Sequence, residues 1–319
     1  MAIKMQDKKS YLNVGGSGRF DFFGKTKMFV MLSIILVVAS LAYIGAKGLN
    51  YGIDFAGGTE MQVQFTNNVE VDEVRNFLGE VGLEHAQLQK FGGSNEFLIR
   101  FQQPEGKTAQ ETNQILADKV KSITTGLQTK FASMVPEIRR VDTVGPQVGS
   151  QLKKNSLLAM FYSMLLILVY IGLRFDYIFA PGAVICLFHD VIVTLGIVAV
   201  LGKEINVQIL AALLTIIGYS LNDTIVIFDR VRENADIHSD KQLPWVINKS
   251  MNEMLGRTIV TSALTLVSTL CLYIFADGAI RDFAFAMSIG IVAGSYSTIY
   301  IASPAVVLFD YIQKKKKTA

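Results

Sequence analysis

Residues 28–46 read MFVMLSIILVVASLAYIGA, uncharged from end to end. An α-helix rises 1.5 Å per residue, so about 20 such residues cross a hydrocarbon layer roughly 30 Å thick. Outward from this stretch the chain repeats the pattern at 156–173, 178–202, 205–228, 258–276 and 283–309. Six runs of this length predict a polytopic α-helical membrane protein. The first run is preceded by Lys25 and Lys27, but no small-residue cleavage site follows it and it is long for a signal peptide. It is expected to be a retained span. Composition agrees: of 319 residues 51% are hydrophobic and 18% charged, with a mean hydropathy of +0.38, against about 25% charged in soluble domains. Collagen, coiled coil, disorder and a soluble enzyme are excluded. A net charge of +3 gives no reason to expect nucleic acid. Cys186 and Cys271 both lie in apolar runs and offer neither a disulfide framework nor metal spacing.

Orientation follows from lysine and arginine. With the N-terminus in the cytoplasm, that side collects Lys4, Lys8, Lys9, Arg19, Lys25, Lys27, Arg174, Arg230, Arg232, Lys241, Lys249, Arg257 and Lys314 to Lys317. The two short external loops hold Lys203 and Arg281. Both termini are therefore expected in the cytoplasm. The expected organisation is a cytoplasmic segment 1–27, a first helix 28–46, an external domain 47–154, helices two to six within 155–309, and a basic tail 310–319. A cytoplasmic amphipathic loop is placed at about 229–256, where Trp245, Val246, Ile247, Met251, Met254 and Leu255 fit a helix lying on the membrane surface.

In the external block, alternation predicts strands over 59–65, 86–91, 96–101 and 137–144, and helical spacing predicts helices over 71–81 and 108–131. Gly92-Gly93-Ser94 marks a hairpin turn, and Thr108 with Glu111 a capping box. The order β-α-β-β-α-β is the ferredoxin-like arrangement. His85 is a lone histidine and reads as a surface or turn residue. Gly15-Gly16-Ser17-Gly18 follows no strand, which argues against a phosphate loop.

Only the third and fourth apolar runs contain a formal charge, Asp190 and Asp223. A charge at a span centre costs about 2.5–3.5 kcal/mol on insertion scales, so each is a functional candidate. Asp223 lies in Gly218-Tyr219-Ser220-Leu221-Asn222-Asp223-Thr224, with Asn222 one turn from Gly218. The plainer alternative is that Asp223, near the end of its run, reaches water. His189 and Asp190 diverge by about 100° on a helix, and their alternative role is hydrogen bonding between helices. Arg257 opens the fifth run. It could snorkel to the interface, yet Thr258, Thr261, Ser262, Thr265, Ser268 and Thr269 follow it as a polar stripe. That stripe could line a wet path or bond neighbouring helices. Ala286, Gly290, Gly294, Thr298 and Ala302, at steps of four, form a small-residue packing seam.

Several motifs together carry a resemblance. They are Gly52-Ile53-Asp54-Phe55-Ala56-Gly57-Gly58-Thr59 after the first span and Val144-Gly145-Pro146-Gln147-Val148-Gly149 before the second. Phe188-His189-Asp190-Val191, the 218–224 stretch with Phe228-Asp229-Arg230-Val231-Arg232-Glu233-Asn234, and Arg257-Thr258 complete the set. Over nearly its whole length beyond the first ten residues the chain resembles the SecF family, the smaller half of the bacterial SecDF export apparatus. The resemblance implies half of a resistance-nodulation-division (RND) transporter fold. It implies a one-to-one SecD partner and work beside the SecYEG channel with SecA and YajC on unfolded preproteins in the inner membrane. It also implies an ion-coupling role for Asp223, with Arg257 and Asn222 beside it. His189, Asp190, Thr261 and Thr265 are secondary intramembrane candidates. No cofactor, metal or bond-making chemistry is expected. An RND half-transporter for lipids or small molecules is the rival, disfavoured because such pumps carry larger external domains. A passive scaffold has no use for an intramembrane acid.

Overall fold

The computed structural model describes residues 14–84, 86–90, 95–102, 109–175 and 178–318. His85, the Gly92-Gly93-Ser94 turn and Thr108 of the predicted cap lie outside the described residues. Among the described residues six helices are long and apolar enough to cross a membrane. They are α1 (Thr26–Lys47), α5 (Pro146–Arg174), α6 (Ala180–Val200), α7 (Val207–Ile237), α8 (Leu243–Phe275) and the α9 region that starts at Gly278. The last runs as α9 (Gly278–Ser297), a π-helical turn at Thr298–Ala302 and α10 (Ser303–Thr318).

Between α1 and α5 lies the small domain: α2 (Ile53–Ala56), β1 (Gly58–Gln64), α3 (Val71–Glu80), β2 (Gln87–Lys90), β3 (Glu96–Phe101), α4 (Ala109–Lys130) and β4 (Glu137–Val144). Its sheet is antiparallel with order β2-β3-β1-β4. Strand alternation turns Met61, Val63, Phe97 and Ile99 to one face, where Val74, Phe77 and Leu78 of α3 and Ile123 and Leu127 of α4 cover them. A Cβ on Gly126 would stand 2.8 Å from the Phe77 ring, so this glycine brings α4 onto α3.

The domain is joined to the helices through its glycines. The Gly52 amide donates to the Ile205 carbonyl at 3.0 Å, and the Ile205 amide to the Asn50 carbonyl at 2.7 Å. The Asp54 carboxylate accepts from the Val207 amide at 3.1 Å, filling a free donor at the positive end of α7. Gly57 has φ +74, and a Cβ there would come within 2.9 Å of Pro146 Cα. Only glycine allows both that backbone and that approach. Arg100 of β3 bridges Glu60 of β1 and, at 2.5 Å, Glu204 before α7. Burial lifts the Glu204 carboxyl above its ordinary range against the pull of Arg100. Burial opposes the Arg100 charge, but Glu204 and Glu60 outweigh it and raise its pKa.

In the bundle, α6 is the central element: most of it is buried, whereas α1 and α5 are largely exposed. The predicted small-residue seam packs inside this half. A Cβ on Gly290 would stand 2.2 Å from Ile216, and one on Gly294 3.1 Å from Ser220, so α9 closes directly on α7.

One expectation is corrected. Residues 229–256 are not a loop with a separate surface helix. The helix α7 continues to Ile237, and α8 begins at Leu243 and runs unbroken into the fifth span. An apolar count stops at the first charges, whereas helical hydrogen bonding does not. Gly256 lies within the helix, where a glycine costs only about 1 kcal/mol. The two extensions form a hairpin. Arg230 pairs with Glu233 and Glu253, and Asn234 donates to Ser250 and Glu253. Residues 14–23 strap across it. Asn248 donates to Ser17 and to the Phe20 carbonyl and accepts from the Phe22 amide. Asn252 accepts from the Phe20 amide, and Trp245 donates to the Gly15 carbonyl. The glycine-rich segment is thus a docking strap.

Candidate ion-coupling site

The turn 218–224 of α7 has two polar sides. Asp223 looks toward α8, where its Oδ1 accepts from Thr258 Oγ1 at 2.7 Å. Its Oδ2 is buried and has no hydrogen-bond partner among the described residues. Arg257 is exposed, and no ion pair joins it to Asp223 among the described residues. Tyr219 donates to Ser262 at 3.3 Å, and Ser295 of α9 donates to the same hydroxyl at 2.7 Å.

Asn222, Gly218 and Thr215 lie on the exposed outer side of α7. On α8, Thr261 and Ser268 are exposed and Thr265 is half-buried. Their hydroxyls donate to the carbonyls of Arg257, Leu264 and Thr261 in their own helix. The stripe therefore divides. Thr258, Ser262 and Thr269 bond inward across helices, while Thr261, Thr265 and Ser268 satisfy themselves and leave their outer side open.

His189 and Asp190 are on the opposite side of α7, at the centre of α6. Asp190 is fully buried. Its Oδ2 accepts from Ser220 at 2.6 Å and Ser297 at 2.9 Å, with the Cys186 thiol at 3.8 Å. His189 Nδ1 lies 2.9 Å from Oδ1. Thr224 and Thr298 are 3.0 Å apart beside this group. The structure thus joins Asp223 to Thr258 and Asp190 to His189, as two separate clusters. Ser220, Ser297 and Cys186 were not singled out by spacing. The only signal for Ser220 was its place in the 218–224 motif.

Six spanning helices with a four-stranded antiparallel domain inserted after the first, and acids held inside the bundle, define a multi-pass membrane protein built as one six-helix unit. Residues 124–312 match the family described as protein export membrane protein SecD/SecF, C-terminal, and residues 42–69 match the SecD/SecF GG motif. The protein translocase subunit SecF of Calditerrivibrio nitroreducens is 40% identical over 95% of this chain and 98% of its own. That of Rickettsia felis is 41% identical over 93% of this chain and 94% of its own. The chain belongs to the SecF family of protein translocase subunits. Its fold is similar to the crystal structure of SecDF, a translocon-associated membrane protein, from Thermus thermophilus. The TM-score there is 0.80 at 34% identity, covering 92% of this chain. A second SecDF structure, in a super-membrane-facing form, gives 0.69 at 33% identity over 94% of this chain. The chain spans 39% and 40% of those SecDF chains.

Proposed function

We propose that this chain forms one half of an ion-driven pulling device in the inner membrane, completed by a SecD-like six-helix partner. It acts on unfolded preproteins leaving the SecYEG channel, after the ATP-driven steps of SecA, with YajC as a further neighbour. Both termini face the cytoplasm and the sheet domain faces outward, as the lysine and arginine placement favours.

The observation that carries this reading is the half-satisfied Asp223 carboxylate: one oxygen on Thr258, the other buried and without a partner among the described residues, with Arg257 adjacent along α8. A proton moving down the membrane potential releases about 2.3 kcal/mol per 100 mV. Protonation of Asp223 removes a charge from the bundle and weakens its attraction to Arg257, so the α7–α8 packing shifts between two states. The same α7 is capped at its other end by Asp54 of α2, in the sheet domain. Movement of α7 is thereby passed to the domain that holds the preprotein.

The test is ion flux in proteoliposomes containing both halves. Acidification of the lumen under an imposed potential, in buffers without sodium, is the expected result for proton coupling. Flux that requires sodium would replace the ion. No flux in any buffer would remove the motor reading.

A further inference from the structure

Asp190 and Asp223 are both acids inside the bundle, but they are held in opposite ways. Asp223 keeps an oxygen without a partner among the described residues. Asp190 is fully buried, and both its oxygens are occupied, one by Ser220, Ser297 and Cys186 and the other by His189. An ion carrier needs a vacant acceptor and a path to water. Asp190 already has a partner on each oxygen and is sealed from the surface, and the unpartnered polar atom beside it is His189 Nε2.

What Asp190 does hold is the turn that carries Asp223. Ser220, bonded to Asp190 at 2.6 Å, stands three residues before Asp223. The Ser220 carbonyl accepts from Thr224 Oγ1 at 3.1 Å, and Thr224 in turn meets Thr298 at 3.0 Å. Ser297 and Thr298 sit where α9 gives way to the π-helical turn. Adjacent residues on an α-helix point about 100° apart. Here Ser297 reaches Asp190 while Thr298 reaches Thr224. Such insertions recur at functional positions in helices.

We propose that Asp190 is a positioning residue for the Asp223 turn and carries no ion itself. It acts as an acceptor hub that pins residues 220–224 of α7 between α6 and the π turn, so that Asp223 is presented to Thr258. The proposal rests on the reading of Asp223 as the coupling acid.

The chemistry separates the two roles. Asparagine has the shape of aspartate and cannot titrate. At position 190 its amide oxygen takes the place of Oδ2 toward Ser220 and Ser297. Its NH2 donates to His189 Nδ1 once the imidazole proton, which sits on Nδ1 while a carboxylate faces it, moves to Nε2. A hub survives this exchange; an ion carrier does not.

The experiment uses the chain assembled with its SecD-like partner and measures potential-driven ion flux in wild type, Asp190→Asn, Asp190→Val, Ser220→Ala and Asp223→Asn. The local readout is labelling of Asp223 by dicyclohexylcarbodiimide, followed by mass spectrometry. Asp190→Asn is expected to keep most of the flux and the wild-type labelling rate. Asp190→Val is expected to lose at least about tenfold in flux and to label faster at Asp223 while still co-purifying with the partner. Ser220→Ala, which removes one donor and leaves the helix intact, should shift labelling in the same direction if the valine variant does not assemble. An Asp190→Asn variant as inactive as Asp223→Asn would overturn the proposal and make Asp190 an ion carrier. Wild-type flux and labelling in both Asp190→Val and Ser220→Ala would overturn it too. Full flux in Asp223→Asn would instead remove the underlying reading of Asp223.

Discussion

Thr258 donates a 2.7 Å hydrogen bond to Asp223 across the α7–α8 contact, and it is the acid's only hydrogen bond among the described residues. A carboxylate served through one oxygen is poorly stabilised in an apolar setting. Asp223→Asn keeps the acceptor for Thr258 and removes the titrating proton. The variant is expected to insert, fold and bind its partner normally, yet to fail in export driven by membrane potential after ATP-dependent translocation has been stopped. Full export would take Asp223 out of the mechanism.

Arg257 stands one residue before Thr258 with its guanidinium exposed. If it served only as an interfacial anchor, lysine would replace it. If it engages Asp223 during the cycle, the planar fork of donors is needed and an ammonium does not reproduce it. Arg257→Lys is expected to lower potential-driven export by about tenfold or more with unchanged membrane levels. Wild-type export would assign Arg257 to anchoring.

The junction of sheet domain and bundle turns on Arg100, which faces Glu60 and Glu204. Arg100→Met leaves two acids facing each other in a half-dry site, a loss of about 3 kcal/mol. Hydrogen exchange at the Gly52 and Ile205 amides, both bonded across the junction, should accelerate. The pH dependence has a definite sign. The folded Glu204 carboxyl has a raised pKa, so its share of stability is fully present below the ordinary glutamate value. That share is lost as pH rises through the raised one. The junction should be more protected at mildly acidic pH, and Glu204→Gln should flatten that dependence. A slope of the opposite sign would contradict the assignment.

Gly290 and Ile216 test the seam. A Cβ at 290 would stand 2.2 Å from the Ile216 side chain, which is fully buried. Gly290→Ala is expected to destabilise the bundle by about 1–3 kcal/mol. Adding Ile216→Val should recover part of the loss, read as a non-additive shift in thermal unfolding of the detergent-solubilised complex. Strict additivity would mean that the two helices do not meet there.

The spans and the two acids were legible in the sequence because a bilayer demands long apolar runs and makes any charge within them conspicuous. The sheet domain was legible because its strands alternate and its helices do not. The partners of Asp190 were not. A serine or threonine in a spanning helix can bond its own preceding turn, as Thr261 and Thr265 do. Spacing therefore cannot say that Ser220 and Ser297 instead turn inward. The strap of residues 14–23 was hidden for a different reason. It has no periodicity, and Asn252 lies 232 residues from the Phe20 amide it accepts from. The extensions of α7 and α8 were obscured because their charges pair with one another, as Arg230 does with Glu253, and so do not end the helix.

The outer side of α7 and α8 leads to the last prediction. Asn222, Gly218 and Thr215 are exposed on one helix, Arg257, Thr261 and Ser268 on the other. Elsewhere the bundle surface is strongly apolar: Leu166, Leu173, Leu264 and Phe275 are all more than half exposed, as lipid contact requires. Polar groups turned to hydrocarbon are costly. The threonine and serine hydroxyls avoid that cost by bonding their own helix, whereas Asn222 and Arg257 make no such side-chain bond among the described residues. This face therefore calls for a second helical unit, and the SecDF chains, of which this one spans 39% and 40%, are long enough to contain one. The chain is expected to co-purify one-to-one with a SecD-like six-helix protein in mild detergent, and to aggregate or lose protection at Asn222 and Arg257 when expressed alone. Cysteine substitutions at Thr215 and Asn222 should react with a membrane-impermeant maleimide in the isolated chain and become shielded in the complex. An isolated chain that stays monodisperse and conducts ions without a partner would sink the two-half arrangement.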